Sequence, residues 1–187
     1  MELQYPEYAG ACQFLSARRV YFTEGEFATI RSLTRVVTYP RNTILMEQGK
    51  PVEKMYFLNK GVCHLYRIHK EQKYIVGLIP SGDFMSTPLY MSNGVPSSCE
   101  IESLTEIEVL EWGMPEFNQL MKELPQANEL FWSLMERVMM WVQDNQIDQL
   151  CLTAEERYQK LLDEHPEVLR EVPLKYIAAF LNIHRTA

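Results

Sequence analysis

From Leu33 to about Glu111 the apolar positions change register roughly every eight to twelve residues, in short β-rich runs separated by turn residues, the pattern of an all-β barrel or roll. The runs cover residues 34–39, 54–58, 62–68, 74–79 and 106–110. Between them lie Gly49 to Pro51, Asn59 to Gly61, Pro80 to Asp83 and Asn93 to Pro96, where Gly or Asn takes positive φ and Pro fixes its own. The segment 55–66 reads as strand, tight turn, strand, which predicts a compact hairpin.

Beyond Trp112 the period becomes helical. Residues 114–124 place Phe117, Leu120, Met121 and Leu124 at three- and four-residue spacing, with Pro115 tolerated in the first turn. Pro125 opens a longer helix predicted to reach about Leu150, roughly 39 Å at 1.5 Å per residue. On it Ala127, Phe131, Leu134, Val138 and Trp141 alternate steps of four and three, as in a coiled-coil seam. Met135, Met139 and Val142 form a stripe beside it. One stripe buries a helix on its own domain, whereas two predict a further partner. A second copy of the chain, meeting at Phe131, Leu134, Val138 and Trp141, is the expected one; a single broad face packed only on the roll is the alternative. The sequence Thr153-Ala-Glu-Glu156 has the spacing of a capping box and predicts another helix, with Tyr158, Leu161 and Leu162 inward. It ends near His165-Pro166, because proline restricts the residue before it. Residues 174–181 read as a short amphipathic helix.

A hydrophobic share of 47% over 187 residues suffices for one medium domain and a smaller appendage without metal or disulfide staples. Cys12, Cys63, Cys99 and Cys151 lie far apart and none has a partner at zinc spacing, which predicts reduced thiols, no metal and no cofactor. No apolar run reaches the roughly 18 residues of a membrane span. The first ten residues carry two Glu and no Lys or Arg, unlike a secretory signal. A cytoplasmic location without membrane contact is therefore expected. The formal charge of −7 argues against a chain that is chiefly a nucleic-acid binder, though a small reader attached to an acidic sensor survives the objection.

The order roll, short helix, long helix, helix, then Ile177-Ala-Ala-Phe-Leu-Asn-Ile183 resembles the Crp/Fnr family of bacterial transcription regulators. The most specific stretches are Glu47-Gln-Gly49, Phe57-Leu-Asn-Lys-Gly-Val62 and Gly82-Asp-Phe84. The resemblance implies an α+β chain: a jelly-roll-like double-stranded β-helix as sensor (33–124), a dimerisation helix (125–151) and a partial winged helix-turn-helix (152–187), with 1–32 as an N-terminal extension. Asn182 stands where the family usually has Gly, and Asn is the residue next best able to take the left-handed conformation. The resemblance implies a homodimer that binds an unknown small-molecule effector and meets DNA through its complete C-terminal domain.

The same resemblance places a ligand site at Gly82, Asp83, Phe84, Ser97 and Ser98. Family members that bind cyclic nucleotides pair the phosphate with an Arg, and here that position falls on Ser97. A guanidinium–phosphate bond is worth roughly 1.5 to 3 kcal/mol, so its loss costs on the order of ten- to 150-fold in affinity and the site is not expected to hold cAMP well. Two readings of the serines stay open: they cap a strand, or they bind a neutral or carboxylate ligand. For DNA, Lys175, His184 and Arg185 are expected to touch phosphate, while base-reading residues are expected beyond Ala187. Residues 153–187 hold five Lys or Arg against six Asp or Glu and so show no basic patch. His64 and His69 fall on opposite faces of one strand, wrong for shared metal ligation, and no His-x-His supports a metal-dependent enzyme. An enzyme is not expected. The competing reading is a stand-alone ligand-binding or dimerisation module that does not bind DNA.

Overall fold

The computed structural model describes residues 4–183 other than residue 87. Two four-stranded antiparallel sheets form the roll. The first has the order β1 (Arg35–Tyr39), β8 (Ile107–Gly113), β3 (Lys54–Lys60), β6 (Asp83–Met85); the second has β2 (Ile44–Met46), β7 (Glu100–Ser103), β4 (Cys63–His69), β5 (Gln72–Ile79). The five sequence-derived runs correspond to β1, β3, β4, β5 and β8. The three remaining strands are three or four residues long, too short for alternation to register.

The predicted hairpin is corrected. β3 bonds to β8 and β6, β4 bonds to β7 and β5, and the two strands belong to different sheets. Met55, Tyr56, Phe57 and Leu58 are all buried, so β3 needs neighbours on both edges and cover on both faces, which a hairpin arm lacks. At the corner Gly61 has φ +87°, and a Cβ there would lie 2.4 Å from the Glu106 carbonyl oxygen, closer than any side chain can be accommodated. The Val62 amide donates to Thr105 Oγ1 at 3.0 Å, fixing the crossing between sheets.

Part of the segment expected as an N-terminal extension, from Tyr5 onward, packs into the core of the roll. α1 (Ala9–Ala17) and α2 (Glu24–Leu33) bring Ala11, Phe14 and Phe27 into the principal apolar cluster. Thr23 and Glu26 form a capping box that sets the start of α2. Phe14 meets Phe57 and Phe84 edge-on at 5.8 and 5.3 Å, which seats α1 on the outer face of the first sheet.

After the roll come α4 (Met114–Glu123) and α5 (Pro125–Cys151), each with Pro in its first turn, where no amide hydrogen is required. The capping box at Thr153 opens α6 (Ala154–Glu164) as expected. Pro166 does more than end that helix: it begins α7 (Pro166–Glu171), since proline is well placed at a first helical position. α8 (Leu174–Phe180) follows, and Asn182 has φ +55°, the left-handed conformation its residue type suggested. Leu161, Val168, Val172, Ile177 and Leu181 bury themselves with Val62 and Leu104 of the roll, so the C-terminal helices share a core with the roll. A short helix, α3 (Pro88–Asn93), completes the elements between β6 and β7. Among the described residues no helix is long and apolar enough to cross a membrane.

Candidate ligand site

Strand register assigns the faces. Cys63 and Leu65 of β4 lie opposite Ile79 and Gly77 of β5 and opposite Ser103 and Ile101 of β7, and this face looks into the roll. On the first sheet the inward side carries Tyr39, Tyr56, Lys54 and Glu111. Glu111 is only 2% exposed. Its carboxylate accepts from Tyr39 Oη at 2.6 Å and Lys54 Nζ at 3.1 Å, with Arg35 Nη1 at 3.6 Å. Burial and the adjoining carboxylate push the Tyr39 phenol up to about 12, so it stays a donor at neutral pH. A cavity of about 380 Å³ lies beside this network, lined by Tyr39, Tyr56, Met46, Ile101, Lys50 and Ser86 among others. Lys54 is committed to Glu111, and Lys50 to Glu47 at 2.6 Å. Both lysines along this cavity thus have a carboxylate partner, Lys54 a buried one and Lys50 an exposed one.

The five residues proposed from sequence divide into two groups with different partners. The Gly82 amide donates to the Leu58 carbonyl at 2.7 Å and sets the turn into β6. Asp83 accepts from the Phe84 amide at 2.6 Å and pairs with Arg137 of α5. Phe84 turns outward to Phe14, Phe57 and Trp112. Ser97 is buried; its hydroxyl donates to the Cys99 carbonyl at 2.8 Å and accepts the Cys99 amide at 3.2 Å. Its backbone pairs with Gly49 and Lys50. Ser98 Oγ lies 2.6 Å from Tyr90 Oη. Of the two open readings of Ser97, strand capping accounts for every contact of its hydroxyl.

Sequence spacing did not reveal two α5 contacts. Arg137 reaches Asp83, 54 positions earlier in the sequence. Trp141 lies so close to Gly77 that a Cβ there would come within 2.9 Å of the indole ring, so β5 accepts this side chain only because residue 77 has none. Trp141 thereby covers the inward face of β5 next to Leu65. Of the expected interface residues, Leu134 is 5% exposed and sits in the core, Phe131 meets Phe117 at 5.4 Å, and Val138 is half-buried. Trp141 itself keeps 39% of its surface exposed, and the helix also exposes Trp132, Met139, Met140, Val142, Ile147 and Leu150. Lys175 is exposed on α8, 4.8 Å above the Tyr176 ring. His184 and Arg185 lie outside the described residues.

On the outer face of the second sheet His64 is completely buried. Its Nε2 is 3.1 Å from Glu102 Oε2, and the ring meets Tyr176 of α8 edge-on at 5.3 Å. Burial holds the imidazole below its usual range, against the opposing pull of Glu102 and Glu100. Lys73 also faces this group, donating to Glu102 at 2.8 Å, and Tyr66 donates to Glu100 at 2.5 Å. Burial raises Glu102, but Lys73 and His64 outweigh it and keep its carboxyl below the usual range. A histidine held neutral when α8 is docked takes a proton more readily when α8 leaves. Docking is thus fully supported above about pH 6.5 and weakens as pH falls toward the lower docked value. Protection factors over residues 174–180, that is exchange rates corrected for their intrinsic base-catalysed pH dependence, are expected to fall on acidification by up to about tenfold per pH unit, and His64→Phe should flatten that dependence. An unchanged slope in the variant would remove His64 from this role.

Residues 36–124 match the family model described as cyclic nucleotide-binding domain. A cAMP-dependent protein kinase regulatory subunit from Pyricularia oryzae is 28% identical over 99 residues, 53% of this chain but only 25% of that protein's length. Among solved structures, FixK2 from Bradyrhizobium japonicum superposes with a TM-score of 0.69 at 15% identity, covering 80% of this chain and 78% of that one. The Thermus thermophilus catabolite activator protein gives 0.58 at 19% identity, covering 88% and 79%. Residues 36–124 thus resemble a cyclic nucleotide-binding domain, and the fold as a whole is similar to those of FixK2 and the catabolite activator protein.

Proposed function

We propose that the protein is a dimeric, ligand-responsive transcription regulator of Crp/Fnr type whose effector is not cAMP. The observation that carries this reading is the placement of α5: it leaves the roll through Trp141 and Arg137, exposes an apolar stripe, and leads into helices that share a core with the roll. A ligand that shifts β5 or β6 would move α5 and α8 together, which is the coupling a sensor requires. DNA is the expected partner of the C-terminal domain, with Lys175 at its phosphate-contacting edge, and a cytoplasmic location follows from that role. The net charge of −7 favours the second reading, a ligand-binding or dimerisation module without DNA activity.

Residues 1–187 alone are expected to bind DNA weakly, without sequence preference and only at low salt. A form that carries a complete helix-turn-helix, offered genomic fragments at two salt concentrations, is expected to select a pseudo-palindrome with half-sites roughly 34 Å apart. Failure to select any fragment would favour the second reading. For the effector, calorimetric titration with cAMP and cGMP is expected to give weak or no binding, because Ser97 supplies no cation and Trp141 covers the inward face of β5. Low-micromolar affinity would overturn this, and Ser97→Arg should improve binding.

A further inference from the structure

A second cavity, of about 90 Å³, lies on the opposite side of the first sheet from the roll interior, where α1 and α2 meet α4 and α5. Phe84, Trp112, Phe117, Ala127 and Leu130 are among its walls, and every residue lining it is buried or half-buried. We propose that this cavity is a binding site for a compact, uncharged hydrocarbon-like molecule of about benzene size. The space is an apolar cleft that is partly open to the surface, and apolar walls left without packed neighbours forfeit dispersion contacts that an occupant restores. An engineered apolar cavity of about 150 Å³ remains dry and takes up benzene or xenon, which sets the size class for a somewhat smaller space.

The lining fixes the chemistry of the occupant. Its side chains are aliphatic, aromatic or sulfur-bearing, and the indole of Trp112 sends its N–H away to Thr34 Oγ1 at 2.8 Å. A charged or strongly polar molecule would be desolvated there without a partner. The position gives the site a consequence. Its walls include α5 residues Ala127, Leu130, Phe131 and Leu134 as well as the N-terminal helices, so an occupant ties α1 and α2 to the helix that carries the exposed stripe.

The test is thermal unfolding of the whole protein with benzene, and with benzoate as the charged analogue. Benzene at a hundredfold excess over its Kd is expected to raise Tm by roughly 5–10 °C, and benzoate to leave it unchanged. Ala127→Leu fills the space and should abolish the benzene response. Leu130→Ala enlarges it, and should lower Tm without ligand while increasing the benzene response, so the comparison survives even if Ala127→Leu does not fold. No benzene response in either wild type or Leu130→Ala, an equal response to benzoate, or an undiminished response in folded Ala127→Leu would each overturn the proposal.

Discussion

Replacing Phe57 by alanine is expected to destabilise the protein by about 3–5 kcal/mol, the range for removing a fully buried aromatic side chain. Phe57 has no exposed surface, and its ring meets Phe14 of α1 and Phe84 of β6 edge-on at 5.8 and 5.1 Å. Such pairs contribute roughly 0.5–1.5 kcal/mol beyond the area they bury, so the change removes transfer energy, leaves a cavity and unseats α1 together. Chemical denaturation checks the magnitude. Amide exchange should show α1 losing protection along with β3. A cost under about 1 kcal/mol, with α1 unaffected, would mean that the N-terminal helices are not part of the roll's cooperative unit.

Replacing Met140 by aspartate is expected to convert a dimer into a monomer. On α5 Met140 is 65% exposed and Leu150 82%, with Trp132, Met139 and Ile147 along the same helix. Large apolar side chains left in water on a helix already packed on its own domain favour a second copy, at about 25 cal/mol per Å² of apolar surface covered. An aspartate there brings an unpaired charge into the interface on each protomer, enough to weaken association at least about 100-fold. Light scattering at micromolar concentration should report roughly twice the 22.0 kDa chain mass for the wild type and the single mass for the variant. Leu134→Asp should instead unfold the protein, because Leu134 lies in the core. A monomeric wild type, or an unaffected Met140→Asp dimer, would refute the assignment of this face.

The difference between Leu134 and Met140 shows what periodicity can and cannot decide. Spacing of three and four located α5 and its two ends to within a residue, because apolar period and proline position are local properties. Spacing also grouped Leu134 with Val138 and Trp141, since all three recur on one side of an isolated helix. Which side meets the roll depends on where the first sheet lies, and that is fixed by contacts distant in sequence, such as Arg137 with Asp83 and Trp141 with Gly77. The outcome was similar in the N-terminal segment. No helix is read there from the sequence; the capping box of Thr23 and Glu26 that opens α2, and the fit of Phe14 between Phe57 and Phe84, are seen only in the fold.

In the site, the turn residues were legible and their partners were not. Gly49, Gly61 and Gly82 all take positive φ, as glycines at predicted turns should. Ser97 was recognisable as a serine where a cation was wanted, but its two contacts to Cys99 required the folded loop. His64 stood in sequence only as a strand histidine facing away from His69, and the approach of Tyr176 from α8, more than a hundred residues later, makes it a buried contact between the roll and the C-terminal helices.

By itself, then, the sequence determined the five longer strands, the helices α4, α5, α6 and α8, the capping box at Thr153 and the turn glycines, because each depends on residue type and spacing within a few positions. The tertiary structure alone decided that β3 and β4 part into different sheets, that Asp83 is committed to Arg137, which face of α5 remains free, and where the two cavities lie. Those outcomes depend on which distant surfaces compete for the same apolar side chain, and the winner is the arrangement that buries the most surface with the fewest unpaired polar groups.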